Sequence, residues 1–142
     1  MSKKKKRIKV AMMRVQDGQP CQCYIEEIEN DLKAYQKYVG GTIQYVPLTD
    51  EIDIICNEEG KLLRLSFNRA WFYDGSLADI FCGDILACRH DDSGNFTDIK
   101  DEDIPVITKA LRPLLCTMLG NFIVPEHTIP EYKGERGIDD EK

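Results

Sequence analysis

The sequence predicts an α+β fold: a mostly antiparallel sheet of about five to seven short strands with two main helices. Three observations predict it. Short apolar runs with two-residue alternation recur between clusters of Gly, Pro, Asn and Asp. Two stretches instead carry apolar residues three and four apart, the spacing of one helix face. No repeat and no low-complexity linker divides the body.

Residues 8–15 open the pattern, with Ile8, Val10 and Met12 on one face and Lys9 and Ala11 on the other. Asp17, Gly18 and Pro20 mark a turn, and residues 21–25 read as a short strand. From Glu26 the period changes. Ile25, Ile28, Leu32, Tyr35 and Val39 fall on one helical stripe, with acids crowded early and lysines late, as the helix dipole favours. Gly40 and Gly41 end it. Residues 42–48 form a β-branched and aromatic strand that stops at Pro47. Residues 52–57 and 62–65 flank a Gly60 turn and predict a hairpin. Residues 66–79 are the least regular: Ala70, Trp71, Phe72 and Tyr73 suggest a short helical turn, and Asp74, Gly75 and Ser76 a loop. A strand core follows at 84–88. A second helix opens near Asp103, the expected cap, with Pro105 in its first turn, and stops at Pro113. Residues 114–124 read as a helical turn or a last strand.

The expected organisation is a flexible basic arm over 1–7, one α+β domain over 8–124, and a polar, disordered tail over 125–142. Lys3, Lys4, Lys5, Lys6 and Arg7 carry +5 of a net charge of −6, which leaves −11 on the rest by difference. The arm suits weak contact with nucleic acid, or simply solvation; the acidic body argues against a nucleic-acid surface of its own. With 42% hydrophobic and 31% charged residues the composition is globular and excludes wholesale disorder. No run is long and apolar enough for a membrane helix, and no secretory leader is evident, so a cytoplasmic setting is expected. The six cysteines, Cys21, Cys23, Cys56, Cys82, Cys88 and Cys116, then read as reduced thiols, mostly in the core. Only Cys21 and Cys23 sit close enough to suggest one edge of a metal site, so no metal and no cofactor are expected.

Val39-Gly40-Gly41-Thr42-Ile43, then Cys56-Asn57-Glu58-Glu59-Gly60-Lys61-Leu62, then Asn68-Arg69 form a pattern that resembles the family called domain of unknown function 3846. Residues 79–84, with a second glycine turn, and 97–107 extend the resemblance, which covers roughly 8–112. The aromatic stretch at 71–73 and the chain after Pro113 depart from it. The resemblance implies a protein of phages, plasmids or conjugative elements in bacterial cytoplasm. It implies no activity and hands over no catalytic residue.

Candidate chemistry is sparse. Asn57, Glu58, Glu59, Asn68 and Arg69 would cluster if the hairpin brings its ends together, and Arg69 would offer a fork to a carboxylate or phosphate. The plainer reading has Asn57 and Gly60 shaping a turn and Arg69 in a structural ion pair. Cys88 and His90 are adjacent on paper but lack the geometry of a nucleophile and its base. Neither a phosphate-cradling loop nor a nucleophile elbow occurs. Trp71 and Tyr73, with Phe67 and Phe72, form either a recognition surface or core. The expected function is therefore a non-enzymatic interaction protein that binds a host or defence protein, in its concrete form an anti-defence inhibitor of a host or CRISPR-type nuclease. The alternatives are a nucleic-acid accessory protein using the arm, and a small-ligand binder or enzyme around Asn57, Glu58, Asn68 and Arg69.

Overall fold

The computed structural model describes residues 5–134. Lys3 and Lys4 of the expected arm, and residues 135–142 of the expected tail, lie outside the described residues. The strands are β1 (Arg7–Met13), β2 (Val15–Gln16), β3 (Gln19–Pro20), β4 (Tyr24–Glu29), β5 (Ile43–Pro47), β6 (Ile52–Asn57), β7 (Phe67–Tyr73), β8 (Ser76–Cys82), β9 (Ile85–His90), β10 (Phe96–Thr97), β11 (Leu111–Thr117) and β12 (Gly120–Ile123). The helices are α1 (Leu32–Val39) and α2 (Asp103–Ala110), with a 3-10 turn at Glu126–Thr128. The class is α+β with antiparallel pairing throughout, but the twelve described strands exceed the five to seven expected.

Two-residue alternation builds the layers. The main sheet runs β4-β1-β9-β6-β5, with β10 on β9. Ile8, Val10, Met12, Ile55, Leu86 and Cys88 face α1, where they meet Tyr35 and Val39. Ala11, Met13, Ile54, Cys56, Ile85 and Ala87 face the opposite way, against Phe81, Ile107 and Leu111 of the second layer. That layer is the sheet β12-β11-β7-β8 together with α2. The central strands are buried on both faces, so their apolar residues run nearly without interruption. No described helix is long and apolar enough to cross a membrane.

Four elements differ from expectation. Residues 24–29 form a strand rather than the first half of a helix, because they pair with β1 and set Glu29 opposite Arg7 and Glu27 opposite Lys9. The helix begins only after Asp31, whose side chain accepts from the Ala34 amide at 2.8 Å. Residues 62–65 are not a strand: the chain coils through consecutive turns there and leaves Leu62 77% exposed. Residues 70–73 are not helical; they end β7, which turns into β8 through Asp74 and Gly75, both at positive φ (52° and 80°). An Asp-Gly pair accepts that geometry without the steric cost other residues meet. Residues 111–117 are a strand that contains Pro113, so the second helix ends at Ala110, before the proline. Asp103 lies inside α2 rather than capping it; its carboxylate accepts from the Lys100 amide and from Arg89.

The segment 125–134 is not a free tail. Gln22 donates its amide to Pro130 O at 2.8 Å, Ile129 is buried, and Tyr132 stacks on Tyr24 with ring centroids 6.0 Å apart.

Candidate functional site

The residues expected to gather around the hairpin separate into two roles. Asn57 ends β6, buried, with Nδ2 donating to Val39 O and Oδ1 accepting from the Glu59 amide at 2.7 Å. It thus fixes the exit of β6 and the turn at Glu58. Asn68 and Arg69 adjoin on β7 and are both fully buried. Asn68 Nδ2 donates to Met13 O (2.8 Å) and Gly83 O (2.7 Å), and its Oδ1 accepts from Arg69 Nη1 (2.7 Å). Arg69 Nη2 donates to Cys21 O (2.8 Å) and to Glu126 Oε1 (3.2 Å). Burial pushes the Arg69 guanidinium below its ordinary pKa, and the Glu126 carboxylate opposes that fall. Both Nη groups are spent inside the molecule, Nε is buried without a hydrogen-bond partner among the described residues, and Arg69 lines none of the described cavities. Arg69 is therefore a strut between β7, the β3–β4 connection and the 3-10 turn, not a ligand hand.

The aromatic residues divide as well. Trp71 packs on the core, 6.2 Å from the Phe81 ring centroid, whereas Tyr73 is 67% exposed beside it. Of the expected arm, Lys5 pairs with Asp98 at 2.6 Å, and Arg7 begins β1 and pairs with Glu27 and Glu29. Those two charges are neutralised on the protein itself, so the flexible arm does not extend to residues 5–7.

Burial raises the thiol pKa of Cys21, Cys23, Cys56, Cys82 and Cys88. Burial, with help from Glu126, pushes Cys23 up to about 12, and burial pushes Cys56 up to about 11 and Cys88 higher still. His90 Nδ1 lies 2.9 Å from Asp53 while Cys88 sits in the core under α1, so no Cys-His pair is assembled. No described group of three or more His, Cys, Asp or Glu residues has metal-holding geometry.

Concave surface gathers instead around residues 58–67. One cavity of about 300 Å³ is lined by Asn57, Glu58, Glu59, Lys61, Asp79 and Phe81 among others, and Lys61 is ion-paired with Asp79 at its wall. A larger groove of about 460 Å³ lies alongside, lined by Gly18, Lys61, Arg64, Leu65, Ser66, Phe67, Cys82 and Cys116. Lys61 and Cys82 border both. Asn57 and Glu58 from the expected cluster thus line a cavity, and Asn68 and Arg69 do not.

Beyond Cys116 the β11–β12 hairpin carries an apolar tip that the sequence reading passed over. Met118 is 104% and Leu119 90% exposed, and Phe122 and Ile123 on β12 are also exposed. The signal was present as Met118-Leu119 set between Thr117 and Gly120, a turn made of apolar residues. β12 is a sheet edge whose four residues, Gly120, Asn121, Phe122 and Ile123, bear no charge. By contrast, the edge strand β4 carries Glu26, Glu27 and Glu29, and the edge strand β5 ends in Pro47, both devices that block pairing with another strand.

Comparison with the curated proteins and with the solved structures finds no match. A family model does match, over residues 8–112, which takes in both glycine turns and the Asn68-Arg69 strut but stops short of the hairpin tip. The chain belongs to the family described as Domain of unknown function (DUF3846).

Proposed function

We propose that the protein is a non-enzymatic binding protein that docks on a protein partner through the β11–β12 hairpin. The observation that carries this reading is the uncharged edge strand β12, with Met118 and Leu119 fully exposed at its tip. An open strand edge offers backbone donors and acceptors to an extended segment, and the apolar side chains supply the energy of desolvation. The raised thiols of Cys23 and Cys56 and the internal use of Arg69 leave few groups poised for chemistry, which favours binding over turnover.

A net charge of −6 around an uncharged edge favours a partner with a basic surface. Under this reading the partner is a host or defence protein of the bacterial cytoplasm, met by a chain of phage or plasmid origin, and a nucleic-acid-cutting enzyme has the required basic character. The nucleic-acid alternative draws no support from Lys5 and Arg7, whose charges are already paired.

The test places a photo-crosslinking amino acid at position 118 of the full chain in host cells. One stoichiometric, basic partner, lost when Phe122→Lys is added, is the expected result. Crosslinks only between copies of this chain, or the same captures from a crosslinker at the exposed Lys33, overturn the reading.

A further inference from the structure

We infer that the groove beside residues 61–67 is a binding site for a small amphipathic carboxylate, with Arg64 as the residue that receives its head. The inference does not rest on the docking role of the hairpin.

The first observation is charge. Among the described arginines, Arg7, Arg14, Arg69 and Arg89 are each paired with a carboxylate, and Arg112 lies over the Phe72 ring. Arg64 has neither partner among the described residues, although the chain carries 25 acidic residues. The second observation is shape and polarity. Leu65, Phe67, Cys82 and Cys116 give the groove apolar walls, and its lining holds no carboxylate. Its volume of about 460 Å³ is that of a small-molecule site. Lys61, the other cation there, is already neutralised by Asp79. Arg64, solvent-exposed and without a carboxylate partner among the described residues, therefore lines a groove with apolar walls, and a monoanion on an apolar body complements both; its carboxylate would accept from the Arg64 fork.

The third observation is backbone strain. Arg64 sits at φ 57°, in the left-handed region where a long side chain is uncommon. Gly or Asn would hold that turn with less strain. A strained arginine without an internal partner contributes to the groove rather than to the fold, and such outliers gather at ligand sites.

The experiment titrates decanoate, below its micellar concentration, into the full chain, with decanol and decyltrimethylammonium as head-group controls. Binding is read by calorimetry and by amide shifts at Leu65, Phe67 and Cys116. Saturable one-to-one binding of decanoate is expected, with decanol and decyltrimethylammonium at least about tenfold weaker, the size of one charge-assisted contact. Arg64→Asn should lower decanoate affinity about tenfold, leave decanol unchanged, and keep or raise the Tm by roughly 2–4 °C. If Arg64→Asn proves unstable, Arg64→Gly takes its place, since glycine accepts this φ. No binding of decanoate, equal binding of decanoate and decanol, or unchanged decanoate affinity in the variant overturns the inference.

Discussion

Arg69 and Glu126 stand 57 residues apart in the chain and meet at 3.2 Å, the guanidinium fully buried and the carboxylate at the rim. The pair ties the segment after β12 to the middle of the second sheet.

Removing one half of such a pair leaves the other uncompensated. Glu126→Gln should cost about 3 kcal/mol, the low end for breaking a buried ion pair, because Glu126 keeps some contact with water. Urea unfolding of the full chain measures it. The double variant Arg69→Met with Glu126→Gln should recover part of the loss; a loss equal to the sum of the singles would show that the two groups do not act together.

Asn68 should prove at least as costly to replace. Asn68→Ala removes the side-chain partner of Met13 O, Gly83 O and Arg69 Nη1 together, leaves Nη1 only its long 3.4 Å bond to the Asn68 carbonyl, and each unmade buried bond costs about 1–3 kcal/mol. We expect the variant to unfold at markedly lower urea concentration. Chemical-shift changes should center on β1 and the turn at Gly83, away from α1.

Acid should weaken the fold in part through Asp103. The bidentate hydrogen bonds from Arg89 at 2.7 and 2.8 Å, helped by the Lys100 amide, hold its carboxyl below the ordinary 3.8 against the opposing push of burial. A depressed carboxylate stabilises above its unfolded pKa, and that stability is lost as pH falls below 3.8 through the folded value. Stability measured from pH 6 downward should therefore fall in that window, and Asp103→Asn should flatten the fall while lowering the plateau at neutral pH.

The thiols should react unequally. Cys116 is exposed, whereas Cys21, Cys56, Cys82 and Cys88 are buried. Brief treatment with iodoacetamide at pH 8 should alkylate Cys116 first, read by peptide mass spectrometry. Cys23, pushed up to about 12, and Cys56, pushed up to about 11, should follow only on unfolding.

The hairpin tip should be dispensable for folding. Met118→Lys and Leu119→Lys replace side chains that are 104% and 90% exposed, so each should change stability by less than about 0.5 kcal/mol. A larger loss in thermal unfolding would mean that the tip packs on the body instead of facing outward.

Much of the sheet was legible from local pattern. Ile8, Val10 and Met12 alternate with Lys9, Ala11 and Met13, and strands β5, β6 and β9 stand where β-branched runs meet turn residues. The stripe from Ile25 to Val39 was half misleading. Its spacing fits a helix throughout, yet the Tyr24–Glu29 stretch pairs with β1, whose Arg7 stands opposite Glu29. Spacing within one segment cannot register a partner that lies in another. The loop at Asp74-Gly75 was legible and is the turn between β7 and β8, whereas the aromatic run beside it suggested a helical turn and is strand. Of the candidate site, Asn57 and Glu58 were found at a cavity wall, but Arg64 and Cys116 were not, since they share a groove only after β7 and β11 pair.

By itself the amino-acid order determined the class, the main strands, the two helical segments and the glycine turns, because periodicity and backbone freedom act over a few residues. Tertiary structure alone decided that Arg69 is a buried strut while Arg64 is left unpaired at a groove. The fate of a charged side chain depends on whether a distant carboxylate reaches it, and that is set by how the sheets stack.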